Sequence, residues 1–525
     1  MSIYAYQRVL VIFLLFGFGL WLTPRLVWGQ SNSESPTNRL FLTIVIDAGA
    51  ATAQESNANG DELDNIAAPT EYFPEEPETA LDPTDLVQSS AVSTVTVSTI
   101  DATEDYRSLG YPDGRKIVRD SSSKLYVAYR KKVDGAYRIF IAESGDNGAT
   151  WRVSNNDKPV EEVGKYNQRV PALAIDNQDR LHLVWYGNDA DNTNVTNNSN
   201  EREIKYTRSI STATGLQWEP WRNLYDGAAY TTTKMLWQEH PAIYANGSNI
   251  YTVWESNETS RAHIKFQRST DYGVTWRSSP VVVRPSTTVG FSRPTLLVSY
   301  FREIRYLYLF AYGSQNGIAQ IYWSRSGDNG DTWSAWQTVA AGSTDQRHVS
   351  VARDSQGRLH LVWRQVANGR TILRYRVYDP ALRKGQGNWV ASPATIASVA
   401  RHCLFYPSIA INGSDQVWVA WTQSTDCSSL GSPHDETDDT ADNPKEGQIF
   451  FSMKPTTSGW SAPQALTTSG KHLYASLRRV NNPAGAGGNV DVVWLDMTNS
   501  TLGLTGTVVC PAQACVMRWS RLRGW

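Results

Sequence analysis

Cysteine, methionine and net charge are all in short supply in this sequence: four Cys, five Met and a formal charge of -2 in 525 residues. The balance of 49 Lys and Arg against 51 Asp and Glu lacks the basic footprint of a nucleic-acid binder, so no nucleic-acid partner is expected. With charged residues at 19% and hydrophobic residues at 41%, the chain is neither a polytopic membrane protein nor wholly disordered. A phosphate loop, a dinucleotide fingerprint, a Gly-x-Ser-x-Gly elbow and a zinc motif are missing, and Cys-x-x-Cys spacing is absent. What the chain has in excess is aromatic: 20 Trp and 25 Tyr stand against 13 Phe, a choice of rings with a polar tip that suits strands, turns and sugar-facing surfaces.

Residues 1–29 read as an export signal, with Arg8 ahead of an apolar run from Val9 to Leu22 and small Gly29 as a cleavage point. Left uncleaved, Val9 to Trp28 approaches the roughly 20 residues of a bilayer crossing and would act as an anchor. Either way the bulk of the chain is expected outside the cytoplasm, secreted or held at the cell surface, with membrane contact only through this segment. In that compartment Cys403 with Cys427, and Cys510 with Cys515, are expected to form two local disulfides. Residues 30–90, rich in Ser, Thr, Pro, Glu and Asp, read as a flexible acidic linker. Leu40 to Ile46 interrupts it with an apolar segment that fits a strand, a partner-binding stretch or a remnant equally well.

Beyond Gly114 a three-part unit recurs seven times. Each copy opens on a short apolar strand, such as Pro171 to Ile175 or Pro407 to Ile411. A second strand closes on an aromatic residue, in turn Tyr129, Trp185, Trp254, Tyr312, Trp363, Trp421 and Trp494. A third alternating strand begins near Arg138, Ile204, Ile264, Ile321, Leu373, Ile449 and Val516. The closing aromatics lie 51 to 73 residues apart, a period suited to four-stranded blades with variable loops. The seventh copy has only three strands, and Val92 to Ile100 stands where it can supply the fourth. The expectation is an all-β fold over residues 91–525, a seven-bladed β-propeller closed by strands from both ends of the domain.

In three copies the third strand runs into a turn that fits Ser-x-Asp-x-Gly-x-Thr-Trp: Ser144 to Trp151, Ser269 to Trp276 and Ser326 to Trp333. Asp146, Asp271 and Asp328 are placed to accept hydrogen bonds from nearby amides, the Gly permits a positive φ, and Trp151, Trp276 and Trp333 insert beneath the turn. The role of the motif is therefore structural. Worn copies end at Trp218, Trp389, Trp460 and Trp525. The octapeptides resemble the Asp box, or bacterial neuraminidase repeat, of the sialidase superfamily, over roughly residues 110–525. As an alternative to seven blades, the resemblance implies the six-bladed sialidase type.

Residues just ahead of each first strand fall where innermost strands meet the mouth of a propeller channel: Arg115, Arg169, Glu239, His240, Arg293, Arg347, His348, Tyr406, His472 and Tyr474. Guanidinium groups converging there suit the carboxylate of an acidic sugar. Arg169-Val-Pro171 resembles the Arg-Ile-Pro motif of sialidases, and Tyr474-Ala-Ser-Leu477 resembles the surroundings of their nucleophilic tyrosine. The resemblance implies an arginine clamp of Arg169, Arg293 and Arg347, a Tyr474 nucleophile assisted by Glu239, and Asp189 or Asp191 as general acid. Arg115, His240, His348 and Tyr406 would complete the ring around the substrate. The implied activity is exo-glycosidic removal of terminal acidic sugars from a carbohydrate or glycoprotein. The residues equally allow a non-catalytic cell-surface scaffold that binds protein or glycan, its arginines capping strand carbonyls and Glu239 paired with a neighbouring Arg.

No cofactor and no metal centre is expected. Asp435, Glu436, Asp438, Asp439 and Asp442 offer calcium oxygen ligands in the loop 426–446, but without a fixed ligand spacing the loop reads as a solvated acidic insertion. His182 and His360, each in a Leu-His-Leu-Val-Trp strand, read as packing and hydrogen-bonding residues.

Overall fold

The repeated units fold as seven antiparallel sheets, each a blade whose strands succeed one another outward from the innermost. The computed structural model describes residues 96–111, 114–161, 166–188, 202–212, 215–225, 238–258, 261–340, 342–428, 444–478, 487–502, 508–511 and 514–523. The signal or anchor of residues 1–29, the linker of residues 30–90 with Leu40 to Ile46, Asp189, Asp191, the acidic residues 435–442 and Trp525 lie outside the described residues. The innermost strands of blades 1 to 7 are Ile117–Arg119, Gln168–Ile175, Gln238–Asn246, Gly290–Phe301, Asp345–Arg353, Cys403–Ile411 and His472–Leu477. Blade 7 takes its outermost strand from the start of the domain, where Val97–Thr103 pairs with Cys515–Arg523. The architecture is therefore the seven-bladed propeller with mixed closure, not the six-bladed alternative.

Burial of the closing aromatics explains why the repeat is written in Trp. Tyr129, Trp185, Trp254, Trp363, Trp421 and Trp494 are each no more than 1% exposed, on second strands packed between neighbouring blades. Tyr312 is out of series by one residue: it pairs in register with Ser292, the position that Tyr186 and Glu255 occupy opposite Arg169 and Glu239. Both disulfides form as expected, Cys403 with Cys427 and Cys510 with Cys515, at Cα separations of 5.5 and 5.4 Å.

The three octapeptide turns share one hydrogen-bond pattern. In Ser326 to Trp333 the Ser326 hydroxyl donates to Asp328 Oδ1 at 2.7 Å and accepts from the Gly330 N–H at 2.8 Å. The same carboxylate accepts from the Thr332 N–H and hydroxyl at 2.9 and 2.5 Å. These bonds hold the Asp328 carboxyl down at about 2, burial alone acting in the opposite direction. Gly330 sits at φ +91°, and a Cβ there would meet the Phe266 ring of the preceding blade at 2.1 Å. Gly148 and Gly273 are pressed in the same way on Trp519 and Tyr206. Glycine is required twice over, for its backbone angle and for the close approach of one blade to the last. The turn tryptophans finish the contact, Trp333 lying edge-on to Phe266 at 5.3 Å and Trp276 to Tyr206 at 4.7 Å.

His182 and His360 hold equivalent interior places. His182 bridges Tyr206 at 2.8 Å and Asp176 at 3.1 Å, and His360 bridges Tyr375 at 2.6 Å and Asp354 at 3.1 Å.

Candidate functional site

Because strands alternate in direction, the starts of the innermost strands and the connections from second to third strands open on one face, while the octapeptide turns lie on the other. On that first face each innermost strand of blades 2 to 7 breaks register at the same place: between Arg169 and Ala172, Glu239 and Ala242, Ser292 and Thr295, Arg347 and Ser350, Phe405 and Ser408, and Leu473 and Ser476. The residue inside each bulge has a left-handed backbone: Val170, His240, Arg293, His348, Tyr406 and Tyr474, at φ between +43° and +61°. A bulge adds one side chain to the strand and re-aims it. Left-handed backbone in non-glycine residues costs about 1–3 kcal/mol apiece and gathers where surroundings over-determine it. Six such residues form a ring of strained positions at the mouth. In blade 1 the corresponding place is Gly114, where a Cβ would sit 2.7 Å from that of Ala172.

Four of the six residues meet around one ring that is not part of the repeat, and a fifth joins through one of them. Tyr111 ends the segment leading from the closing strand Val97–Thr103 to blade 1. Its ring stands edge-on to Tyr406 at 5.2 Å, His240 at 5.8 Å and Tyr474 at 6.2 Å. The Arg293 guanidinium lies over it, 3.6 Å from the ring centre. His348 joins through Tyr406, with ring centres 4.9 Å apart. The fold thus brings His240, Arg293, His348, Tyr406 and Tyr474 together, each at most 3% exposed.

The remaining ring residues are placed differently. Arg169 and Arg347 precede their bulges by one residue, whereas Arg293 lies within its own, so the three arginines are not equivalent. Arg347 pairs with Asp345 at 3.0 Å. Arg115 crosses the channel from blade 1 and donates to Ser350 Oγ at 3.1 Å, Ser408 Oγ at 2.8 Å and the carbonyl oxygens of Val351, Ile409 and Leu477. It ties blades 5, 6 and 7 to blade 1 by capping carbonyls. Glu239 forms an ion pair with Arg202. Among the described residues Tyr474 Oη has no hydrogen-bond partner. Burial holds its phenol well above the ordinary tyrosine range.

Sequence reasoning passed over Glu255, which follows the closing aromatic of blade 3. Its Oε1 is 2.9 Å from His240 Nδ1, and its Oε2 accepts the Arg293 backbone N–H at 2.7 Å. Burial pushes the His240 imidazole below its ordinary range and outweighs the attraction of Glu255. Burial would raise the Glu255 carboxyl, but His240 and the Arg293 amide and guanidinium outweigh it and hold the group ionised. A neutral imidazole whose Nδ1–H donates to a carboxylate carries its lone pair on Nε2, the tautomer of a general base. Glu239, His240 and Glu255 also have ligand atoms within 4.8 Å of one another, the geometry of a cation site. Arg202 on Glu239 and Arg293 beside Glu255 already supply positive charge there.

The sequence matches no known family profile, and no curated protein sequence matches it. Solved structures with the same kind of fold do exist. An ulvan lyase, described as a new family of polysaccharide lyase, aligns at 12% identity over 80% of this chain and 94% of its own, with a TM-score of 0.50. A protein of unknown function from Dyadobacter fermentans aligns at 17% identity over 62% of this chain and 94% of its own, with a TM-score of 0.40. A Trypanosoma rangeli sialidase bound to the inhibitor DANA aligns at 10% identity over 82% of this chain and 60% of its own, with a TM-score of 0.41. At 12% identity the likeness to the ulvan lyase is one of fold.

Proposed function

We propose that the protein acts on carbohydrate, and that the propeller mouth recognises an acidic sugar. The observation that carries this reading is the meeting of Arg293, His240, His348, Tyr406 and Tyr474 around Tyr111. Such a site pairs a guanidinium fork for a carboxylate with aromatic faces and edges for the apolar side of a sugar ring. Neighbours of the same fold that are named as a polysaccharide lyase and as sialidases support the substrate class. The octapeptide turns, read as Asp boxes, support the sialidase side of the comparison. We further propose that the domain is exported and works outside the cytoplasm, secreted or tethered through its N-terminal segment.

Two chemistries suit an acidic sugar at this mouth. In the hydrolytic one, Tyr474 attacks the anomeric carbon, Glu239 assists, Asp189 protonates the leaving oxygen, and Arg169, Arg293 and Arg347 clamp the carboxylate. It requires Glu239 to exchange Arg202 for the Tyr474 phenol. The hydrogen bond of 2.9 Å between Glu255 and His240 favours a second chemistry, elimination from a uronate. Here His240 Nε2 takes the proton from the carbon next to the carboxylate, the electron pair forms the new C=C bond, and the C–O bond to the leaving sugar breaks. The phenol of Tyr474 gives its proton to that oxygen, and Arg293 offsets the charge gathering on the carboxylate.

Incubation with a fluorogenic sialoside and with a panel of uronate polysaccharides separates these cases. Release of the fluorophore marks hydrolysis, and a near-ultraviolet chromophore from the conjugated double bond marks elimination. Binding of acidic glycans without either signal would leave a recognition scaffold, and absence of binding would overturn the reading of the mouth.

A further inference from the structure

Tyr111 stands where a bound sugar ring would have to be. It is 3% exposed and enclosed by His240, Tyr406 and Tyr474 on its edges and by Arg293 above. The crevice between Arg107, Gly110, Tyr111, Arg130, Val170 and Tyr474 is too narrow to admit a water molecule. Among the described residues, His240, Arg293, Tyr406 and Tyr474 therefore each face a side chain of the protein's own. We infer that residues 104–111 form an autoinhibitory strap, with Tyr111 as an internal occupant of the acidic-sugar site that must swing out before ligand enters.

The strap is built in two parts. Its anchor is Asp105, which pairs with Arg130 on the second strand of blade 1, with Arg130 Nη2 donating to Asp105 Oδ1 at 3.0 Å. Asp105 also accepts from the Arg107 N–H at 3.0 Å, and the Ser108 carbonyl accepts from the Arg130 N–H at 2.7 Å. Beyond the anchor comes Gly110 at φ +59°, which turns the chain into the mouth. Rotation about this residue would withdraw Tyr111 while Asp105 and Ser108 stay in place, since glycine crosses between backbone regions at little cost. Tyr111 is a six-membered ring with a polar tip, held by edge contacts and a cation over its face, contacts that a pyranose and its carboxylate would replace. A site occupied by its own chain binds ligand with an affinity reduced by the fraction of time it is open.

The inference rests on the acidic-sugar reading, and its test separates the two. Hydrogen exchange of the full chain would be followed with and without N-acetylneuraminic acid and, separately, glucuronic acid, alongside calorimetric affinities for wild type, Tyr111→Ala and Asp105→Asn. The expected result is faster exchange at residues 106–111 in the ligand complex, and binding roughly tenfold tighter in folded Tyr111→Ala. Asp105→Asn, which replaces none of the residues ringing Tyr111 but loosens the anchor, should move affinity in the same direction. Binding by wild type with unchanged or slower exchange in the strap would overturn the inference and leave the acidic-sugar reading standing, as would an unchanged affinity in the two variants. Failure of all three proteins to bind either acid would remove both. Exchange on the wild type decides the matter even if a variant does not fold.

Discussion

The guanidinium carbon of Arg293 lies over the ring of Tyr111, 3.6 Å from its centre. Once Tyr111 has left, the planar guanidinium presents paired donors that match the fork of a carboxylate. Lysine preserves the charge but has neither the plane nor the paired donors. Arg293→Lys is expected to weaken binding of an acidic sugar roughly tenfold or more, the scale of one charged hydrogen bond at about 1.5–3 kcal/mol. Calorimetric titration with N-acetylneuraminic acid checks it, and retained affinity would show that the carboxylate is held elsewhere.

Asp491 gathers three arginines, Arg478 at 2.7 Å, Arg119 at 2.9 Å and Arg521 at 3.2 Å. Burial would raise its carboxyl, but the three cations hold it below the ordinary range. Arg119 belongs to blade 1 and the other three residues to blade 7 or its margin, so the cluster clasps the ring where it closes. Removing the anion strands the buried cation of Arg478 and the half-buried ones of Arg119 and Arg521, and Asp491→Ala should cost about 3 kcal/mol. Urea denaturation gives the value, and a loss below about 1 kcal/mol would mean that the hydrogen bonds between strands alone secure the closure.

Glu161 gives the fold a pH dependence of unusual sign. Its Oε1 accepts the Ile139 N–H at 3.0 Å, and burial raises the carboxyl from 4.5 to about 8. Between those two values the folded state holds a proton that the unfolded chain has released. This site therefore makes stability fall as pH rises from about 4.5 to about 8, with a ceiling on the order of 5 kcal/mol. Glu161→Gln keeps an acceptor for Ile139 and removes the titration. The variant should melt like wild type at pH 4 and above it at pH 9; equal melting temperatures at pH 9 would show that the carboxylate is solvated when ionised.

How much of this was written in the sequence depends on whether a feature repeats. The closing aromatics and the octapeptide turns recur at blade spacing, so their roles, and the fourth strand that blade 7 lacks, could be read by comparing one copy with the next. The strand Val97–Thr103 arrives nearly where Val92 to Ile100 was expected. The bulges hid the mouth: Arg169 stands two residues before Pro171 and Arg293 one residue before Pro294, a difference that looks trivial in a list of arginines and becomes a difference of position once the strand breaks register. Glu255 and Tyr186 were legible in principle, as polar-tipped residues directly following the closing aromatics Trp254 and Trp185. Tyr111 was not, because it lies in a connection with no counterpart in other copies, and only the closed ring brings it to the mouth.

Gly330 tests whether the turn glycines act through backbone angle or through space. Both demands meet at this residue, φ +91° and a Phe266 ring 2.1 Å from any added Cβ. Gly135, at φ +81°, has nothing within 4 Å and carries only the first demand. Gly135→Ala should cost about 1 kcal/mol and Gly330→Ala distinctly more, roughly 2–4 kcal/mol, since the blade-to-blade contact must open as well. Equal losses in thermal denaturation would show that Phe266 yields without cost.

The hydrogen bond from His240 to Glu255 carries the choice between the two chemistries. Glu255→Gln retains the size of the side chain and an oxygen near the Arg293 amide, but it removes the charge that holds the imidazole in the Nδ1–H tautomer. If His240 is the base in an elimination, turnover of a uronate polymer should fall by roughly 10²–10⁴-fold with little change in KM. The acid limb of its pH profile should also shift to lower pH, because the carboxylate that favours the imidazolium is gone. A merely structural role for Glu255 would lower stability and affinity and leave that limb in place. If the reaction is instead hydrolysis through Tyr474, Glu255→Gln should affect it mildly, while Glu239→Gln and Tyr474→Phe should abolish it. The pattern across these three variants therefore assigns the chemistry whichever way it falls.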